Sequence, residues 1–443
     1  MIKNYLTLAL KVLKRKPFYT FISLFGISFT LMILMLITSM GDALFGANAP
    51  MSEVDRMVFL PTLERYTEFN DTTYAVDTII MDDGVVRYDS TQHIEPNGNR
   101  NNSDGRMSYY FLNNYTRDLS DVEACTFLAS TGYTDAYLDG RKVSLSTFYV
   151  DGSYWDVFDF RFIYGLPFGP DDVREANKVT IITERTAENY FGEVSSNVLG
   201  RELELGRERY RVVGIVERPL NDDQNISADV FLPLTTIDNR QYNSTELAGP
   251  FVAVFLATTA GKRESIKQQL KYLAENFIMP PESGYESMAL YAGTATEVFA
   301  AGAVGTRDFR QAKLILFIPL VLLLGLFVAL PLINLINLNV SRVFERKSEI
   351  AVRKAFGADS RNILYQFIFE NLVLTFIGGL IGLLLAIVVI QYVNSNDLIG
   401  MVRLGFSLKV VAYFIVVVLL FGLLSGILPA YRMSRTNIGT ALR

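Results

Sequence analysis

FYTFISLFGISFTLMILMLITSM, residues 18–40, runs for 23 positions without an Asp, Glu, Lys or Arg. A helix rises about 1.5 Å per residue, so about 20 residues cross the roughly 30 Å hydrocarbon core of a bilayer. Three later stretches read the same way: Leu314–Ile333, Leu372–Ile390 and Val410–Leu428, 19 or 20 residues each and equally free of those charges. A helix buried in a soluble core normally runs shorter, and four such runs in one chain predict four transmembrane helices. Half of the 443 residues are hydrophobic, and the mean hydropathy is +0.25. The fold class predicted is a membrane protein of four transmembrane α-helices, with a large α+β extracytoplasmic domain between the first and second.

Ala47-Asn48-Ala49 has the form of a signal-peptide cleavage site. The stretch before it is longer than the 7–15 residues of a signal hydrophobic region, and Pro50 would follow the cut, so a retained helix is expected.

The net charge of −5 is unevenly distributed. Residues 1–40 hold five basic and no acidic residues, and residues 313–443 hold twelve basic and five acidic ones. The middle, residues 41–312, carries 24 basic against 41 acidic residues. Nucleic-acid binding needs a basic face, so no nucleic-acid partner is expected. Lys/Arg beside apolar spans mark the cytoplasmic side. Lys3, Lys11, Lys14, Arg15 and Lys16 precede the first span, Arg342 to Arg361 lie between the second and third, and Arg432, Arg435 and Arg443 follow the fourth. Only Arg403 lies in the short loop, 394–407, between the third and fourth. Both termini are therefore expected inside a bacterial inner membrane, with the large domain outside.

The predicted segments are a cytoplasmic amphipathic helix over 1–17, spans at 18–40, 313–338, 364–393 and 408–430, and an outside domain over 41–312, large enough for two subdomains. A coupling loop is expected over 339–363, a short outside loop over 394–407 and a cytoplasmic tail over 431–443. The first segment, IKNYLTLALKVLKRK, places apolar residues at a 3.6-residue period, as a helix lying along the inner membrane face would. Gly378, Gly379 and Gly382 in the third span, and Gly422, Ser425 and Gly426 in the fourth, sit three or four apart, a spacing that lets helices approach closely in lipid. They read as a packing face, within the protomer or in a dimer. Pro319 and Pro331 should bend the second span. Glu370 reads as a packing or partner contact at the cytoplasmic start of the third.

In the outside domain, Lys178–Thr183 and Tyr210–Val216 alternate as strands do. Glu184–Phe191, closed by Gly192, reads as a short helix, and Gly261–Phe277 as a longer one. His93–Gly105, rich in Asn, Asp, Ser and Gly without an apolar period, reads as a loop.

One His, His93, and one Cys, Cys125, occur in the whole chain. A zinc site or His-based triad needs more, and an internal disulfide needs a second Cys. Acids are plentiful, but no pair stands out for carboxylate chemistry. No G-x-x-x-x-G-K-[ST] loop is present to cradle phosphates. No catalytic residue, metal ligand or cofactor is expected on this chain.

Two C-terminal stretches resemble the FtsX-like permease domain of ABC transporters. One opens RVFERKSEIAVRKAFGADSRNILYQF at Arg342 and runs to Leu385; the other is GLLSGILPAYRMSRTNIGTALR, Gly422–Arg443. Asp151–Phe168 (DGSYWDVFDFRFIYGLPF), Val179–Gly200 and Tyr210–Glu217 (YRVVGIVE) are similar to the MacB-type periplasmic core domain. Ala351, Met433 and Ile438 depart from the residues usual in the FtsX-like pattern. Residues 60–120 resemble no segment of the family.

The resemblance implies an ABC transporter permease subunit of MacB/FtsX type, transmitting ATPase-driven motion across the membrane for export, efflux or envelope work. It implies an ABC ATPase subunit as partner, with ATP bound there, a second permease copy or paralogue, and an adaptor or lipoprotein outside. By position, the ATPase contacts would be Glu345, Arg346, Glu349, Arg353, Lys354 and Phe356, on a coupling helix over Phe344–Phe356. Basic residues beside a membrane also suit anionic lipid headgroups, which is the competing reading of that loop. Two other functional classes stay open on the residues alone: a membrane sensor whose ectodomain binds a ligand, and a membrane-anchored enzyme using carboxylates.

Overall fold

The computed structural model describes residues 17–80, 86–138, 141–220, 226–345, 352, 356, 360–400, 402–406 and 408–434. The amphipathic helix expected before Pro17, most of the loop between the second and third spans, and the tail after Ser434 lie outside the described residues. Chain contacts divide the protein into two units. One takes residues 1–46, 220–222 and 313–443; the other takes 47–219 and 223–312. The described helices of ten or more residues are α1 Pro17–Phe45, α2 Arg263–Asn276, α3 Ala295–Val304, α4 Phe309–Glu345, α5 Ser360–Ser395 and α6 Leu408–Ser434.

Four of these, α1, α4, α5 and α6, are the transmembrane helices. Each outlasts its apolar run, because polar residues at the ends continue the helix beyond the hydrocarbon-length segment. α1, for example, continues through Gly41 and Asp42 to Phe45. α4 stays helical through Pro319 and Pro331. The core of this unit is Ile27, Leu31 and Met35 of α1, Leu374, Ala386 and Ile390 of α5, and Phe414, Val418 and Phe421 of α6, all buried.

The second unit is α+β. Its strands are β1 Met57–Ile80, β2 Val86–Met107, β3 Val122–Leu138, β4 Arg141–Val150, β5 Phe162–Gly165 and β6 Val179–Thr183. They continue with β7 Glu202–Leu205, β8 Glu208–Val216, β9 Val230–Pro233, β10 Ala248–Gly249, β11 Phe251–Ala257 and β12 Ser287–Gly293. One ladder joins them in the order β10-β2-β1-β11-β3-β4-β9-β6-β8-β5, with β12 on β1 and β7 on β3 and β8. Pairing is parallel at β4–β9 and β6–β8 and antiparallel elsewhere. A single hydrogen-bonded network therefore runs through the length expected to hold two subdomains.

The predicted strand Lys178–Thr183 is β6, buried at all five of its positions because sheet neighbours and helices cover both faces. The predicted helix over Glu184–Phe191 is one α-turn widened into a π-turn, and Gly192 ends it with φ +77°. α2 buries Ile266, Leu270 and Ala274, four apart on one face. α3 opens with a capping box: Thr294 Oγ1 accepts from the Glu297 N–H, and Glu297 accepts from the Thr294 N–H at 2.9 Å.

His93–Gly105 is not a loop. It forms most of β2, paired with β1 on either side of a bulge at residues 97–99, with His93 opposite Thr73. The apolar alternation that marks a strand is needed only where one face is buried. Beyond Tyr66 only β2 is in register with β1 among the described residues, so a polar sequence can be a strand there.

The segment resembling the MacB-type core supplies the densest packing of this unit. Tyr154, Phe158 and Phe231 are fully buried, with the Tyr154 ring 4.8 Å from Phe158 and 5.6 Å from Phe231. Trp155 stands edge-on to Phe168 at 5.6 Å. The Tyr154 hydroxyl donates to the Ile226 carbonyl. The aromatic residues of DGSYWDVFDF are thus core side chains.

Candidate functional site

In a protein of four membrane helices the functional surfaces are those between helices and those offered to partners. Among the membrane helices, α5 is the hub, packing on both α1 and α6. Its glycines explain how. A Cβ on Gly378 would lie 2.6 Å from Ile27 Cγ2, and one on Gly382 would lie 2.7 Å from the Ser28 carbonyl oxygen, both on α1. On Gly379 it would meet Val418 Cγ2 of α6 at 2.9 Å. Gly422 of α6 returns the contact, with Leu372 Cδ2 at 2.8 Å from its notional Cβ. Glycine lets backbones come this close where lipid supplies no hydrophobic drive between helices. These four predicted packing residues lie at contacts within one chain. Gly426 lies on α6 with no contact described.

Polar atoms lock the same seams. Asn371 Nδ2 of α5 donates to the Gly422 carbonyl of α6 at 2.6 Å, and the Thr375 hydroxyl donates to the Asn371 carbonyl at 2.9 Å. Asn371 and Thr375 are both buried. The Ser28 hydroxyl donates back to Leu24 at 2.5 Å and that of Thr30 to Gly26 at 2.8 Å, so these polar groups are satisfied within α1. Ser39 near the end of α1 donates to the Gly405 carbonyl, in the loop before α6, at 2.7 Å. Glu370 accepts from Gln366 Nε2 one turn earlier, at 3.1 Å.

α4 behaves differently. Leu320, Val321, Leu322 and Leu323, four successive residues that face every direction around the helix, are all more than half exposed. Val328 and Leu332 touch the core of the helix unit, and Phe317 meets Phe45 of α1 at 5.8 Å. A helix this apolar and this uncovered has lipid or another protein around it.

Of the predicted ATPase contacts, Glu345 is the last residue of α4 and Phe356 is 89% exposed. The Phe356 N–H donates to the Val352 carbonyl at 3.1 Å, a helical turn. Arg346, Glu349, Arg353 and Lys354 lie outside the described residues.

In the outside unit, two buried acids have specific partners. Asp151 accepts from the Thr126 hydroxyl at 2.6 Å and the Phe127 N–H at 3.1 Å, with Arg117 Nη2 3.9 Å away. Burial pushes its carboxyl up to about 6 against those stabilising contacts. Glu64 is 1% exposed. Burial acts to raise its pKa, but hydrogen bonds from Tyr291 and Asn102 and the Arg307 charge outweigh it, and the net shift is downward. Sequence reading passed over both acids, since each owes its setting to residues distant in the chain. The Cys125 thiol is raised chiefly by burial, the opposite of a reactive thiolate. Among the described residues no group of three or more His, Cys, Asp or Glu is placed to hold a metal.

Comparison with known proteins assigns the family. Residues 20–273 match the MacB-like periplasmic core domain, and residues 321–438 match the FtsX-like permease C-terminal domain. The chain belongs to the MacB/FtsX-like ABC transporter permease family. Relatives in that family include the macrolide export ATP-binding/permease protein MacB of Pasteurella multocida, 25% identical over 309 residues, covering 68% of this chain and 43% of that protein. The ABC transporter permease YvrN of Bacillus subtilis, described as uncharacterized, is 25% identical over 299 residues, covering 66% of this chain and 69% of its own length. The chain thus spans about two fifths of the MacB relatives it matches. Among solved structures, the periplasmic region of MacB from Actinobacillus actinomycetemcomitans matches at 17% identity and a TM-score of 0.31, covering 41% of this chain and 76% of that one. The extracellular domain of the noncanonic ABC-type transporter YknZ from Gram-positive bacteria matches at 17% identity and 0.32, covering 41% and 88%. This MacB/FtsX-like permease is the membrane component of an ABC transporter.

Proposed function

We propose that this permease receives motion from an ABC ATPase on a separate polypeptide and delivers it to the outside domain through α1 and α4, the helices that flank that domain. The observation that carries this is the basic stretch from Arg342 to Arg361, within the segment matching the FtsX-like domain. ATP is bound and hydrolysed on the partner, and this chain supplies the docking loop. Glu345, Arg346, Glu349, Arg353, Lys354 and Phe356 make the contact. The exposed Phe356 suits a pocket in the partner, and the charges set its orientation.

Both termini and this loop lie in the cytoplasm, by the distribution of Lys and Arg, and the acidic domain lies outside. The assembly holds two permease chains. The support is α4, whose apolar surface is uncovered in one chain, and the exposed Phe18, Phe21 and Phe25 of α1.

Purification in mild detergent from the native host is expected to bring down an ATPase in about equal amount. The double reversal Glu349→Lys with Arg353→Glu should lose that ATPase and the cellular function together. Retention of both would overturn the proposal, and activity of the outside domain without any ATPase would favour a membrane-anchored enzyme.

A further inference from the structure

Glu64 and Asp104 stand directly opposite each other on β1 and β2. Two carboxylates across an antiparallel pair repel, and a buried one needs a counter-charge. Arg307 supplies it to both: Nη1 donates to Glu64 Oε1 at 2.5 Å, and Nη2 donates to Asp104 Oδ2, while Arg100 Nη1 stands farther off, 3.9 Å from Glu64 Oε2. Tyr291 Oη from β12 donates to the other Glu64 oxygen at 2.5 Å, and Asn102 Nδ2 donates to Oε1 at 2.8 Å. The guanidinium also lies over the Tyr291 ring, 5.6 Å from its centre. A two-pronged cation therefore holds three strands at one point.

Arg307 is two residues before α4 begins. Asp308 caps that helix, accepting from the Arg310 N–H at 2.9 Å and the Gln311 N–H at 3.0 Å. The Phe309 ring lies so close to Gly293 of β12 that a Cβ there would be 2.9 Å from Phe309 Cε2. The first turn of α4 is thus fixed to the same strands as the clasp. Past this point β1 parts from β12, with Tyr66 opposite Ser287, while its pairing with β2 continues to Ile80 opposite Val86. At about 3.3 Å per residue, the two-stranded ribbon beyond the clasp is about 45 Å long. Two strands alone have little stability of their own, and a bulge between Glu68 and Asn70 bends the pair close to its root, so the direction of the ribbon is set by the clasp and that bulge together.

We propose that Arg307 is a positioning residue that makes the β1–β2 ribbon an arm of α4, its direction following the first turn of that helix through the Glu64–Arg307–Asp104 clasp. As an output arm, this rests on the reading of α4 as a lever. It assigns a role to residues 60–120, for which no family motif could be named from the residues alone and which lie inside the match to the MacB-like periplasmic core domain.

The test uses the full chain in detergent, with Cys125→Ala and cysteines introduced at the exposed Ser90 of the ribbon and Asn189 of the same unit for spin labelling. Pulsed electron resonance then reads the distance between them. With Arg307 intact, one narrow distribution is expected. Arg307→Gln should broaden it about twofold while the chain stays folded, because the opposed carboxylates then push the strands apart. Adding Asp104→Asn should narrow it again by removing one of the two opposed charges, which a loss of arginine packing alone would not allow. If Arg307→Gln is not recovered folded, Arg307→Lys, one point charge for a two-pronged donor, should broaden the distribution by a smaller amount. An unchanged width in the recovered variant, or no narrowing with Asp104→Asn, overturns the proposal. Neither ATPase nor transport enters this measurement, so its failure would leave the coupling-loop reading standing. Failure of that reading would leave the clasp.

Discussion

Substituting alanine for Gly382 measures how closely α1 and α5 approach. The new methyl group would sit 2.7 Å from the Ser28 carbonyl oxygen, 3.3 Å from Leu31 Cβ and 3.3 Å from the Met32 nitrogen. The nearest obstacle is main chain on a continuous helix, so no rotamer change relieves it, and the two helices must separate by about half an ångström. Overpacking of this kind costs about 1–3 kcal/mol. At roughly 1.4 kcal/mol per factor of ten, the unfolding equilibrium shifts by about 5- to 150-fold. Two comparisons give the number its meaning. At Gly379 the obstacles are the two methyls of Val418, at 2.9 and 3.2 Å, side chain in place of main chain, and Gly379→Ala should cost less. At Gly325 of α4 nothing lies within 4 Å, so Gly325→Ala should be neutral or stabilising by up to about 1 kcal/mol through helix propensity. Reversible unfolding of the purified full chain in mixed detergent micelles reads all three. The expected order of stability is Gly325→Ala, then Gly379→Ala, then Gly382→Ala. If Gly382→Ala is as stable as the parent, or Gly325→Ala is equally damaged, the close approach of α1 and α5 is wrong.

Asn371→Leu should lose about 0.6–2 kcal/mol in the same assay, the range for one hydrogen bond between membrane helices, with the damage confined to the α5–α6 seam. Tyr154→Phe leaves the ring packing intact but strands the buried Ile226 carbonyl, at a cost of about 1–3 kcal/mol in thermal unfolding of the full chain. Asp151 carries a pH signature. Its folded pKa of about 6 lies above the ordinary carboxylate value, so its contribution to stability is complete below about pH 4 and is lost as pH rises through 6. The raised pKa corresponds to about 3 kcal/mol across that window. Thermal unfolding at a series of pH values should show the parent losing stability relative to Asp151→Asn between pH 4 and 6, and parallel curves would refute the assignment.

The membrane architecture was legible because it follows from a strong local signal. A charge-free run of 19 residues has few alternatives, and the lysines and arginines beside it concern only the adjacent loop. Helix ends were less legible, since Gly41 and Asp42 of α1 lie past the apolar run yet are still helical. β2 was misread for a related reason: where its residues are described, from Ser90 to Gln92 and from Asn99 to Gly105, they are nearly all exposed, and such a strand carries no apolar alternation, so its composition is that of a loop. The glycine spacing in α5 announced close packing but not its object, and coordinates were needed to show Gly378 and Gly382 against α1 and Gly379 against α6. The clasp had no sequence signal at all. Glu64 and Arg307 are 243 positions apart, and each alone is an ordinary surface charge.

By itself, then, the sequence determined that this protein spans the membrane, that its outside domain mixes strands with helices, and which ordered motifs tie it to its family. Those properties depend on period, composition and neighbours within a few residues. Tertiary structure alone decided which helix each glycine admits, that α4 stands largely uncovered, and that one arginine reconciles two opposed acids at the root of a ribbon. Such features are sums over contacts between distant segments, where burial turns an ordinary carboxylate into one that must be paired.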